Sequence, residues 1–267
     1  MRANPLLTIG GALVAMLALG AVLAPWVGPP PNAQDILSRL QGPGPAHWLG
    51  TDNFGRDTLS RVLWGYRTLF AISAGSIGVA LLLGGSLGTA AALGGGWLDR
   101  IGMRGMDVLF AFPVILLAIG VIAVLGPGAW STAVAIAVVY VPVFARTLRA
   151  PALLLRQAEF VEAARTAGAT SFRIAWRHVA PNLAAVALVQ ASLSLSTAVL
   201  VEASLSFLGL GTQPPTPSLG RMLAESRTFL ALSPWVSVFS GMAILLASLG
   251  FNLLGDGLQD RLDPRRA

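Results

Sequence analysis

Few residues in this sequence could carry chemistry. Its histidines are His47 and His178 and it has no cysteine, so thiolate nucleophiles, disulfides and Cys-ligated metals are excluded. Two imidazoles do not by themselves make a metal site. All 18 basic residues are arginine, and the absence of lysine removes both a Walker A phosphate loop and a lysine Schiff base. Asp52, Asn53 and Asp57 bring carboxylates close together, as calcium would require, yet they lack the EF-hand spacing and its closing bidentate glutamate. Capping of a helix that carries Leu59, Val62 and Leu63 is the simpler use of Asp57. Glu202 is the carboxylate set inside a long apolar stretch. Such a group either pairs with something or faces a wet cavity on a translocation path, and its place near the outer end of the stretch makes interfacial solvation the rival reading.

The elements that must position these groups are membrane helices. Hydrophobic residues make up 55% of the chain and charged residues 11%, with a mean hydropathy of +0.72, which does not suit a water-facing surface. In a soluble chain the net charge of +6 would suggest nucleic acid; here arginines flanking spans explain it, and no nucleic-acid partner is expected. The first apolar run, from near Leu6, is about 20 residues long, which fits a bilayer core better than the h-region of a signal peptide. Further spans are expected over residues 72–93, 108–125, 131–146, 183–208 and 235–254, with Pro142 a tolerated kink and a polar turn over 94–107. Gly84, Gly85 and Gly88 allow close helix packing in the second span. The fold class is therefore all-α, a polytopic membrane protein of about six transmembrane helices.

Between the fourth and fifth spans lies EFVEAARTAGATSFRIAWRHVAPN, residues 159–182. Good helix formers run from Arg156 to Ala167, and Gly168 follows where a helix end wants positive φ. Thr170 or Ser171 can cap a second helix that ends before Pro181. Phe160, Ala163, Ala164 and Ala167 share one face of the first helix, and their small side chains allow another protein close approach. A helix lying on anionic headgroups through Arg156, Arg165 and Arg173 is the alternative.

EAARTAG followed by IAWRHVAPN resembles the cytoplasmic EAA loop of the membrane subunits of binding-protein-dependent ABC importers. HWLGTDNFGRDTLSR from His47, LSFLGLGTQPPTPSLGRMLAESR after the fifth span, and FNLLGDGL with LDPR near the end are similar to the dipeptide, oligopeptide and nickel subfamily. Trp48 and Ser240 stand where that subfamily commonly has proline. The resemblance implies a type I ABC importer permease fold. It divides the chain into a first helix with a polar extracytoplasmic segment (1–70), a core of five spans (71–260) with the coupling loop at 150–182, and a basic cytoplasmic tail (261–267). It also implies that Glu162, Ala163, Ala164 and Gly168 belong to the element that docks on a separate ATPase subunit, where ATP and magnesium are bound. This chain would need no cofactor of its own. A second homologous permease, forming a heterodimer, with a homodimer as the alternative, and an extracytoplasmic substrate-binding protein are the other implied partners.

With both termini in the cytoplasm of a prokaryotic inner membrane, twelve arginines fall inside and six outside, as the positive-inside rule asks. The function expected is a non-catalytic path for peptides, with nickel chelates or glutathione as alternative cargo. A secondary transporter would ordinarily want ionisable groups or broken helices near the midplane, and Glu202 is off-centre.

Overall fold

A computed structural model describes residues 4–262. Arg2, Arg265 and Arg266, and with them most of the basic tail, lie outside that range. Among the described residues the elements are helical: α1 (Pro5–Leu23), α2 (Thr58–Gly94), α3 (Gly96–Phe110), α4 (Val114–Leu125), α5 (Ala129–Arg156), α6 (Glu159–Thr166), α7 (Ser171–Ile174), α8 (Ala180–Phe207), α9 (Leu219–Ser226) and α10 (Trp235–Leu262).

Helix direction follows from paired contacts. Ser76 donates to the Ala133 carbonyl at 2.9 Å and Arg156 to the Ala92 carbonyl at 3.0 Å, so α2 and α5 advance together. Between these parallel helices the chain must cross back, and only α3 and α4 are available to do it. α8 runs against α5, with Tyr140 bonded to Thr197 at 2.7 Å and Thr147 to Gln190 at 3.4 Å. α10 runs against α8 through Ser248 and Ser196, and α1 against α10, where Asn4 reaches the Gly257 carbonyl at 3.4 Å. The described ends of the chain are thus neighbours.

Five helices are long and apolar enough to cross a membrane, and α3–α4, bent by 95°, makes a sixth if the pair counts as one span. The expected third span, 108–125, is corrected. Pro113 has no N–H to donate and disfavours helix at Phe112, so the apolar run breaks: Val108–Phe110 closes α3 and Val114 opens α4. The residues taken as a polar turn are mostly α3. α2 begins at Thr58, fourteen positions before the expected start at 72, which puts the division at residue 70 inside a helix. α5 continues through Pro142 and Pro151 to Arg156, since packing against neighbouring helices keeps it helical where proline removes a donor.

Outside the spans a polar cap forms from residues 24–57 and 208–234. Asp57 is the N-cap of α2, accepting from the Ser60 N–H at 2.8 Å, and its other oxygen meets His47 Nδ1 at 2.9 Å. Asp52 accepts from the Phe54 and Arg56 backbone N–H groups and pairs with the Arg56 side chain. The acidic cluster is therefore spent on capping and ion pairing. Asp57→Ala is expected to cost about 1–2 kcal/mol, read as a lower melting temperature in detergent, and Asp57→Ser to recover most of it.

Candidate functional site

The polar passage between α5 and α8 forms a helical hairpin. Arg156 ends α5 rather than opening the next helix, which corrects the expected start. Gln157 and an extended Ala158 (φ −74°, ψ 141°) turn the chain into α6. Glu159 and Glu162 fall in its first turn, where carboxylates complement the helix dipole. At its far end Gly168 takes φ +80°. Its N–H bonds the Arg165 carbonyl at 2.9 Å and the Ala169 N–H bonds the Ala164 carbonyl at 3.0 Å, the paired bonds of a Schellman end. A Cβ at position 168 would meet nothing within 4 Å, so the requirement for glycine is conformational and not steric.

Of the two capping residues, Thr170 is used: its hydroxyl accepts from the Arg173 N–H at 3.3 Å. The second arm does not end before Pro181. α7 passes through a π turn (Ala175–Val179) directly into α8, and Pro181, which has no N–H to donate, falls just after that turn. The hairpin is thereby continuous with a membrane helix on its α8 side.

The small face of α6 is divided by packing. Phe160, Ala163 and Ala167 are exposed, as are Glu162 and Gly168, while Ala164 is half-buried. Val161, unmarked in the sequence, anchors α6 in a core made with Ala92, Leu148, Ala152, Ile174, Val179 and Leu183. Two further exposed groups escaped the sequence reading: Phe172 at 80% and Trp176 at 74% exposure, one helical turn apart. Among the described residues Glu162 forms no ion pair, so it is free for an external partner.

Glu202 lies far from the hairpin, in the last turns of α8. It is 1% exposed, which overturns solvation at the interface. Its Oε1 accepts from the Ser206 hydroxyl at 2.8 Å, and the Ser206 oxygen accepts in turn from the Thr212 N–H at 3.3 Å. Oε2 has no hydrogen-bond partner. The chain ties the turn after α8 back onto that helix.

Residues 56–267 match the binding-protein-dependent transport system inner membrane component family. The chain belongs to that family. Among curated relatives, the permease is 42% identical over 266 residues to the dipeptide transport system permease protein of Alkalihalophilus pseudofirmus, covering 99% of this chain and 88% of that one. It is 46% identical over 254 residues to the glutathione transport system permease protein of Escherichia coli, covering 94% and 84%. It is 46% identical over 258 residues to a putative peptide transport system permease protein of Brucella suis, covering 96% and 87%. The permease is thus the multi-pass membrane component of a binding-protein-dependent transport system, a role that asks for a path and no catalytic group of its own.

Glu202→Gln tests what that buried carboxyl does. The amide keeps an acceptor for Ser206, so melting is expected to change by less than about 1 kcal/mol and transport to persist. Lost transport with unchanged melting would instead support a place for Glu202 on the translocation path.

Proposed function

We propose that this permease imports peptides, driven by a separate ATP-hydrolysing subunit that docks on the α6 hairpin. The observation carrying this reading is a surface of Phe160, Ala163 and Ala167, with Glu162 beside it. It is exposed at the tip yet fixed at its root by the Val161 core and by continuity with α8. A cleft in the ATPase would receive the small face, and Gly168 would set the turn that presents it. ATP and magnesium are bound by that partner. Closure of two ATPase subunits would move two hairpins together and, through α8, turn the cavity outward.

A second, similar permease completes the path as a heterodimer, and an extracytoplasmic binding protein delivers cargo. An open groove between α5, α8 and α10, lined by Thr147, Val186, Gln190 and Gln259 among others, supports this arrangement because it offers polar groups at the hairpin end of three spans. The arginines at 100, 104, 146, 149, 156, 165, 173 and 177 lie on α3, the C-terminal part of α5 and the hairpin. Their concentration supports placing that end in the cytoplasm of a prokaryotic inner membrane, with both termini there. Peptides are preferred as cargo because two of the relatives above are named for dipeptide or peptide transport.

The test is gentle extraction of the tagged chain from native membranes, identification of what co-purifies, and uptake assays with labelled dipeptide and glutathione. Recovery of a Walker-type ATPase and a second permease, with ATP-dependent dipeptide uptake, is expected. Recovery of the chain alone, with gradient-driven uptake in vesicles lacking ATP, would make it a secondary transporter.

A further inference from the structure

α3 was expected to be a turn, and its position calls for a different partner. It packs on α5 at Arg146 and Arg149, seventeen and twenty residues beyond Ala129, where α5 begins. At 1.5 Å per residue this is roughly 26–30 Å, about the thickness of a bilayer core. α4 lies against the first half of α5, with Ala118 and Ile122 packed among Ala135, Ile136 and Val139, and α3 meets α4 at 95°. The two contacts advance eight positions along α3, from Asp99 to Asp107, but only three along α5, from Arg149 to Arg146, so α3 lies across α5. With α5 crossing the membrane, α3 runs along its surface, at the end that carries the hairpin.

Two ion pairs fix it there. Asp99 receives both arms of the Arg149 guanidinium at 2.6 and 2.7 Å, and Asp107 pairs with Arg146, which also lies 4.5 Å over the Phe110 ring. Both carboxylates of the helix are consumed on the α5 side. At 100° per residue, Asp99, Gly102, Met103 and Met106 face inward and are partly buried, while Trp97, Arg100, Ile101, Arg104 and Val108 share the outer face. On that face Trp97 is 71% exposed, Val108 61% and Ile101 50%. Arg100 and Arg104 are exposed, one turn apart, and among the described residues neither has an ion-pair partner.

Unpaired arginines beside exposed tryptophan and aliphatic side chains suit neither bulk water nor the acyl core; they suit the boundary between them. We propose that the outer face of α3 binds anionic phospholipid headgroups, Arg100 and Arg104 meeting the phosphates while Trp97, Ile101 and Val108 enter the upper acyl layer. The complementarity is specific in sign, because Asp99 and Asp107 are already neutralised by α5. The bound lipid would hold α3, and through its ion pairs the end of α5 that leads into the hairpin.

The chain's lack of cysteine makes a direct test available. Ile101→Cys in the full permease, with the subunits that co-purify, carries a nitroxide in liposomes of phosphatidylcholine with or without phosphatidylglycerol. The label is expected to be relaxed by oxygen more than by a water-soluble nickel chelate, as at a depth just below the phosphates. Shielding from both relaxants would mean that a protein partner covers this face, and equal access to the chelate and water would mean that it is solvated; either overturns the proposal. Native mass spectrometry then compares retained phosphatidylglycerol with phosphatidylcholine. The preference is expected to fall roughly fivefold for each arginine replaced by glutamine, in Arg100→Gln and Arg104→Gln, and to survive replacement of both by lysine. An unchanged preference in the glutamine variants would also overturn it.

Discussion

Gly168→Val is expected to abolish uptake while the permease remains folded in the membrane. The backbone at this position has φ +80°, which a β-branched residue adopts at a cost on the order of 2 kcal/mol. A Cβ here meets nothing within 4 Å, so the cost falls on the turn. The two Schellman bonds that end α6 are its main restraint, and bonds of that kind are worth about 1 kcal/mol each. The turn therefore reshapes, the small face of α6 tilts, and its fit to a docking partner is lost. Membrane yield and melting should stay near wild type, because the Val161 core is untouched. Gly168→Asn, which tolerates the left-handed region, should retain part of the uptake. Normal uptake by the valine variant would rule out the turn as a requirement.

Gly88→Leu should do the reverse, destroying the fold before any question of transport arises. A Cβ at position 88 would stand 2.2 Å from the Ala145 carbonyl oxygen, and one at Gly84, a turn earlier, 2.2 Å from that of Val141. These are backbone atoms of α5, which cannot swing aside as a side chain can. Relief requires α2 and α5 to separate along the seam that holds the parallel pair together, at a cost of about 3 kcal/mol or more. The expected result is little monodisperse protein, with Gly88→Ala already melting lower. A leucine variant of normal yield and melting would show that the α2–α5 approach is not as close as 2.2 Å implies.

What could be read from the sequence was local. Gly168 and Thr170 announce the ends of α6 and α7 because caps depend on residues within one turn. The apolar blocks announce the spans for the same reason. What escaped depends on distant partners. α3 looks like a polar turn because its aspartates find their arginines at 146 and 149, on a later helix. The first turns of α2 carry Arg61 and Arg67 and read as part of a polar segment, yet Arg61 is buried and donates to the Pro31 carbonyl at 3.2 Å. Glu202 reads equally as a paired or cavity-facing group and as a solvated one until the turn through Thr212 folds back on Ser206. Ala164 and Val161 differ in burial from what the helical wheel suggests, because the core of α5 and α8 decides which side of α6 is inside.

The most direct test of hairpin docking uses the cysteine-free background once more. Ala163→Cys, carrying a short photoactivatable cross-linker, is irradiated in native membranes and its adducts identified by mass spectrometry. Adducts to an ATP-hydrolysing subunit, lost when Gly168→Val is added, are the expected result. Adducts to lipid alone, with transport intact, would contradict docking at this face.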